Sequence, residues 1–488
     1  MSNSLFVTKP VQPAPHVDAG ELHGDLKGEA TLKRTLTATQ LTALGIGATI
    51  GAGIFVISGQ AAAEHAGPAI ILSFVIASIA CAFAGLCYAE FAAMLPVSGS
   101  AYSYAYATLG EIVAWFIGWN LVLEYLFAAS TVAVGWSGYF NSLLGTFGLG
   151  LPASLAAAPF NVVDGHVVYT GGYINLPAVA IVAAISAVCY VGIRQSAMLN
   201  SAIVAIKVVV ILMFVAFGAR YVDPANWHPF IPENQGPGKF GFEGVVRGAA
   251  LVFFAYVGFD AVSTAAGEAK NPQRDMPIGL LGSLILTTLI YVVVAAVLTG
   301  LLPFGQLATP KPVATALEAH PELSWLKLFI EVGAIAGLSS VILVQLVGQS
   351  RVFYAMSKDR LLPPLFSRVH PKFHTPYKST VVVGIAAAIL AGLLPIGLLG
   401  ELVSMGTLLA FTTVCAGVLV LRRTRPDLPR PFRVWMPGLI CPLGVVACLY
   451  LFWQSFIQHW SIILGWTAVG FLIYFAYSYR HSGLRNGG

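Results

Sequence analysis

The chain has 488 residues, of which 57% are hydrophobic and only 10% charged, with a mean hydropathy of +0.80 and a formal net charge of +5. That balance excludes a water-soluble protein of this size and predicts a polytopic membrane protein. The positive excess implies no nucleic-acid partner, because it resides in the links between apolar runs and mostly on one side of them.

Residues 1–37 are polar and proline-containing and lack the basic-then-apolar pattern of a cleavable leader, so they read as a mostly disordered cytoplasmic tail. Apolar runs of about 20 residues then predict helices near 38–63, 68–95, 109–140, 175–193, 198–220, 243–267, 278–302, 325–356, 378–396, 400–421, 435–454 and 459–479. The expected fold class is an all-α membrane protein with 12 transmembrane helices. An even number puts both termini on one side, and that side carries 20 of the 26 Lys and Arg residues. Positive-inside therefore places both ends, including the C-terminal 480–488, in the cytoplasm. The stretch 141–175 has no Lys or Arg and reads as a short external excursion, whereas 96–104 is an amphipathic link along the inner face. The last two helices, 435–479, follow the arginine-rich link 422–433 and read as an appendage, a packing or dimer surface on a monomer or weak homodimer.

All six cysteines lie in or beside apolar runs, so no disulfide framework is expected. The ten histidines fall in tails, loops or span ends, which argues against a metal or haem site within the bilayer. The chain contains no N-x-[ST] sequon, consistent with a bacterial inner membrane.

Two spans are broken by sequence unsuited to a helix. The first contains Gly47-Ala48-Thr49-Ile50-Gly51-Ala52-Gly53-Ile54-Phe55 and the sixth Phe253-Phe254-Ala255-Tyr256-Val257-Gly258-Phe259-Asp260. Lipid cannot hydrogen-bond a broken backbone, so such segments must be buried in protein or line a cavity. A pair of them in corresponding places of two halves points to a transporter site. A substrate carboxylate can approach the amides around Gly51, Ala52 and Gly53, where no bulky side chain intervenes, with help from the helix dipole. The carbonyls of Phe254, Ala255 and Val257 can hold an ammonium, and Phe254 or Tyr256 can close over it. The plainer reading is that glycine and alanine serve close helix packing.

Lys207 lies among apolar residues of the fifth span, where a lysine costs about 2.5–3.5 kcal/mol and is by default a functional hypothesis. Exchanging a proton, it can stand in for a bound sodium ion. Its expected partners are carbonyls near Gly47 and Ile50 and the hydroxyls of Ser339 or Ser340; snorkelling or a structural ion pair is the alternative. Glu124 and Asp260 are candidates either for a substrate amine or for pinning the broken helices. Glu90, Glu268, Glu331 and Glu401 lie nearer span ends, where a solvated or paired carboxylate is the usual explanation.

The two broken segments resemble those of the amino acid–polyamine–organocation superfamily, as do Pro96-Val97-Ser98-Gly99-Ser100-Ala101-Tyr102, the run from Glu268 to Pro277 and the run from Tyr354 to Pro363. The resemblance is to the cationic amino acid transporter branch in its short bacterial form. It implies a 5+5 inverted repeat with discontinuous helices 1 and 6, formed here by 38–220 and 243–421, and alternating access. It implies carboxylate contacts at Ile50, Gly51, Ala52, Gly53 and Ile54, and amine contacts at Phe254, Ala255 and Val257. It matches Lys207 to a lysine that replaces sodium, so the coupling ion would be a proton and no cofactor is implied. A small single-helix subunit is compatible with the resemblance.

Vertebrate members of the branch have about two further spans and move arginine, lysine and ornithine. Here few carboxylates surround the proposed pocket, and Leu338 of the eighth span would wall its side-chain end. Small neutral amino acids such as alanine come first and cationic ones second. The function expected is secondary active, proton-coupled import, with an exchanger or an amino acid receptor on a transporter scaffold as alternatives. An enzyme is not expected, since no nucleophile–base pair or metal ligand set lies at depth. Lipid and a small amino acid are the partners expected.

Overall fold

The computed structural model describes residues 5–9, 36–94, 100–163, 166–192, 197–266, 269–373 and 375–485. The reading of 10–35 as a disordered tail, of Pro96–Gly99 as an inner link and of Glu268 as a span-end carboxylate lies outside the described residues. Eight helical stretches are long and apolar enough to cross a membrane, and two shorter apolar helices, Leu176–Val191 and Tyr377–Leu393, accompany them.

The main helices are α1 (Ala38–Thr49), α2 (Ile70–Met94), α3 (Ser100–Thr108), α4 (Glu111–Thr146), α5 (Leu176–Val191), α6 (Ala197–Gly218), α7 (Gly241–Val252), α8 (Pro272–Leu301), α9 (Pro312–Glu318), α10 (Ser324–Lys358), α11 (Tyr377–Leu393), α12 (Ile396–Thr424) and α13 (Pro437–Ile473). Several ends follow local chemistry. Thr37 and Gln40 close a capping box at the start of α1, and Pro272 and Pro312 take first-turn positions where no amide donor is needed. α4 packs along α10 and α12, α8 packs along α2 and α1, and α5 packs along α11.

Two stretches exceed the length of one crossing. Gly53–Met94 turns at Gly67, whose φ of +60° leads into Pro68, and Pro437–His481 bends at His459, where φ is −121° and ψ is 22°. The expected helices 435–454 and 459–479 are thus two helices meeting at a kink at His459. The expected helix 38–63 is regular only to Thr49, continuing beyond Gly53 with two π-helical turns, Gly53–Ile57 and Ala62–Ala66. The expected helix 243–267 is regular only to Val252.

The excursion 141–175 is more ordered than its composition suggested. It holds a short helix, Ala153–Ala156, and an antiparallel hairpin of β1 (Phe160–Val163) and β2 (His166–Tyr169), with Phe160 opposite Tyr169. Residues 5–9 of the tail are also held: Glu111 N donates to Val7 O and Ile112 N to Leu5 O. Buried Glu111 gathers the hydroxyls of Tyr106, Tyr474 and Ser482 and the Arg485 guanidinium, tying the start of α4 to the chain's last described turn. All six cysteines are buried and free.

Candidate functional site

The site is built where α1 and α7 stop. At the end of α1, Ile50 is extended, with φ −70° and ψ 101°, and helical winding resumes only at Ala52. Among the described residues, the Gly51 amide donates to no backbone acceptor, and Ala52 and Gly53 follow it at the restart of the helix. α7 passes into one 3-10 turn, Phe253–Tyr256; Val257 is then extended and Gly258 has φ +112°. Glycine is required there twice over: φ lies in the left-handed region, and a Cβ would stand 2.7 Å from Ala48 O. The two breaks touch, since a Cβ on Gly53 would strike the backbone of Ala255.

Stopping a helix frees carbonyls, and a buried carbonyl without a donor is costly. Here the donors are identifiable. Lys207 Nζ, on α6 and 1% exposed, donates to Gly47 O at 2.8 Å and to Ile50 O at 3.2 Å. The Tyr291 hydroxyl, on α8, lies 2.8 Å from both Thr49 O and Ala255 O, so one side chain bridges the two broken segments. The Tyr139 hydroxyl of α4 donates to Phe55 O at 2.6 Å. Sequence reasoning missed Tyr291, Tyr139 and the individual need for Gly258. The available signals were hydroxyls within apolar runs and a glycine between valine and phenylalanine within an apolar run.

The structure brings the proposed residues together unequally. Ile50, Gly51, Ala52, Gly53 and Ile54 form the first break, and Phe254, Ala255 and Val257 the second, all buried. Phe254 O already accepts from Val257 N, and Ala255 O from Tyr291, so of the three expected ammonium acceptors two carry a partner. Tyr256 is tethered away from a closing role by its bond to Phe74 O at 3.0 Å.

Ser339 and Ser340 do not bond Lys207. The Ser340 hydroxyl turns back to Gly337 O at 2.8 Å, and the Ser339 hydroxyl donates to Ile335 O and accepts from Trp136 Nε1. Back-bonding within α10 satisfies both hydroxyls, so neither has to reach across. What α10 offers the lysine is space: a Cβ on Gly337 would press on the Lys207 side chain at 3.0 Å. Leu338 is wholly buried on the same helix.

Glu124 and Asp260 are wholly buried neighbours, with the Thr407 hydroxyl beside Glu124 and the Tyr125 hydroxyl 3.3 Å from Asp260. Asp260 therefore meets side chains of α4, and its carboxyl does not cap the short helix that follows it. Glu90, Glu331 and Glu401 are paired as well as buried. Arg422 grips Glu90 with two donors, Ser142 and Lys327 hold Glu331, and Arg247 holds Glu401. Among the described residues no group of His, Cys, Asp and Glu side chains is placed to hold a metal ion.

A family model described as amino acid permease matches residues 36–478. The chain is similar to the branched-chain amino acid permease BcaP of Bacillus subtilis (strain 168), 46% identical over 489 residues covering 99% of this chain and 100% of that protein. It is 45% identical to the methylthioribose transporter of the same strain, covering 98% of this chain and 99% of that protein. The vacuolar cationic amino acid transporter 4 of Arabidopsis thaliana is 38% identical, over 82% of this chain and 65% of its own length.

Proposed function

The chain belongs to the amino acid permease family, whose members are integral membrane transporters and not enzymes, and on that premise we propose that it imports neutral amino acids with aliphatic side chains, driven by protons. The observation that carries the reading is the contact of the two broken segments at Gly53 and Ala255, with the unbonded Gly51 amide and a helix restart on one side. A carboxylate is stabilised by the first break, where amides are offered at a helix start. An ammonium is held by carbonyls of the second, Val257 O foremost.

On this reading the chain crosses twelve times: the eight long stretches, with Gly53–Met94 and Pro437–His481 each counted as two, and the two shorter helices, α1 being the first half of the crossing that Gly53–Ala66 completes; ten of these form a 5+5 inverted repeat and the last two follow it. Both termini then lie in the cytoplasm of a bacterial inner membrane. In alternating access, Lys207 binds the end of α1 when protonated and releases it when neutral, which couples the proton to the first broken helix. The apolar residues around the breaks and the name of the Bacillus relative favour a branched side chain.

A cationic substrate is the second reading, favoured by the buried Glu124 and Asp260 carboxyls. Purified protein in proteoliposomes decides between them. Accumulation of radiolabelled leucine under an inward proton gradient, blocked by excess valine or isoleucine and spared by arginine, is expected. Blocking by arginine and lysine moves the substrate to the cationic class, and binding without accumulation identifies a receptor.

A further inference from the structure

Between α12 and α13 the surface opens into a groove of about 450 Å³. Its walls include Leu419 and Val420 of α12 and Val445 and Val446 of α13, and it is lined at one end by Arg423 and Thr424. Leu419 and Val420 lie one turn before that end, so the wall passes from apolar to cationic within about 6 Å of helix rise.

The link that leads from this end of α12 towards α13 carries five arginines between 422 and 433, and they are not equivalent. Arg422 is committed to Glu90 and Val434 O, Arg430 to the carbonyls of Leu421, Arg425, Pro426 and Leu428, and Arg425 to Asp427 at 3.4 Å. Arg423 and Arg433 are exposed and pair with no acidic side chain among the described residues. Beyond Arg433 stands Trp435, 76% exposed, an aromatic ring of the kind that settles at the headgroup level of a bilayer.

We propose that this groove is a binding site for an anionic phospholipid, with one acyl chain along Leu419 and Val446 and the phosphodiester at Arg423 and Arg433. The slot is apolar and runs along α12 towards the bilayer interior, while Arg423, the uncommitted cation that lines it, sits at its outer end with Arg433 in the link that follows, which is the charge order of such a lipid. A choline headgroup would bring a further cation against them. A second copy of the chain packed symmetrically on this face would set the same arginines against one another.

Native mass spectrometry of the full-length protein, titrated with phosphatidylglycerol or phosphatidylcholine, tests the site. Retention of phosphatidylglycerol over phosphatidylcholine is expected, weakened about fivefold by each of Arg423→Gln and Arg433→Gln. Val446→Trp, which fills the slot without touching a charge, should weaken phosphatidylglycerol as well and decides the matter if the arginine variants misfold. Arg425→Gln should leave retention within about twofold. Equal retention of both lipids, unchanged retention in the Arg423, Arg433 or Val446 variants, or a dimer in place of the lipid adduct overturns the proposal.

Discussion

The ammonium of Lys207 donates to the carbonyl of Gly47 across 2.8 Å, joining α6 to the last turn of α1 immediately before that helix breaks. A second bond, to Ile50 O, reaches the break itself. Removing the charge but not the bulk separates coupling from packing. Lys207→Met is expected to abolish accumulation driven by an inward proton gradient while the protein remains folded. Uptake by that variant at the wild-type rate would show that the proton acts elsewhere.

Tyr291 has no apolar substitute that keeps its bridge. Tyr291→Phe leaves Thr49 O and Ala255 O without their shared donor in a dry site, at a cost of about 1–3 kcal/mol. A lower thermal midpoint in detergent and weaker substrate binding are both expected. An unchanged midpoint with unchanged affinity would mean that the two breaks are held together by other contacts.

Gly258 and Gly145 make an internal comparison. Gly258→Ala forces a side chain into the left-handed region and against Ala48 O, and should cost about 1–3 kcal/mol together with loss of transport. Gly145→Ala meets nothing within 4 Å at ordinary φ and should leave both stability and uptake intact. Thermal unfolding and uptake of the two variants, assayed side by side, check the expectation.

Arg247 is 1% exposed and engaged through both terminal nitrogens: it meets Glu401 at 2.5 Å, Ser455 at 2.7 Å and Gln458 at 2.9 Å, and His459 holds the other oxygen of Glu401 at 2.6 Å. Through this cluster α7, just before its break, is joined to α12 and to the bend of α13. Glu401→Gln should destabilise by about 3–5 kcal/mol because a buried guanidinium loses its counter-charge. The double variant Arg247→Met with Glu401→Met should recover part of that loss. Chemical unfolding of the single and double variants measures the difference.

Outside the membrane segments, Glu318 sits between Lys311 at 2.6 Å and Lys327 at 2.8 Å. Burial works to raise its carboxyl, but the two lysines prevail and hold it below the ordinary 4.5. A carboxylate favoured in the folded state adds stability above its unfolded pKa, and that stability fades as pH falls through the folded value. Glu318→Gln should therefore be less stable than the wild type at pH 6, and the gap should close as pH falls well below 4.5. A gap that persists in acid would assign the effect to packing.

The sequence alone determined the apolar stretches, the two interruptions and the lone lysine at depth. These are local properties: bilayer thickness sets the length of a run, and a charge or a glycine cluster within one is conspicuous without any knowledge of its neighbours. Even Lys207's acceptors near Gly47 and Ile50 were legible, because a stopped helix must expose its last carbonyls there. Only the tertiary structure decided which side chains answer the remaining freed groups. Tyr291 lies 242 residues from Thr49 and Arg247 lies 208 residues from Ser455, so neither partnership has a local signature. The same holds for Ser339 and Ser340, which look available in sequence but bond within their own helix. Pairings of this kind depend on which helices pack together, and that is set by the summed contacts of the whole bundle rather than by any one stretch of chain.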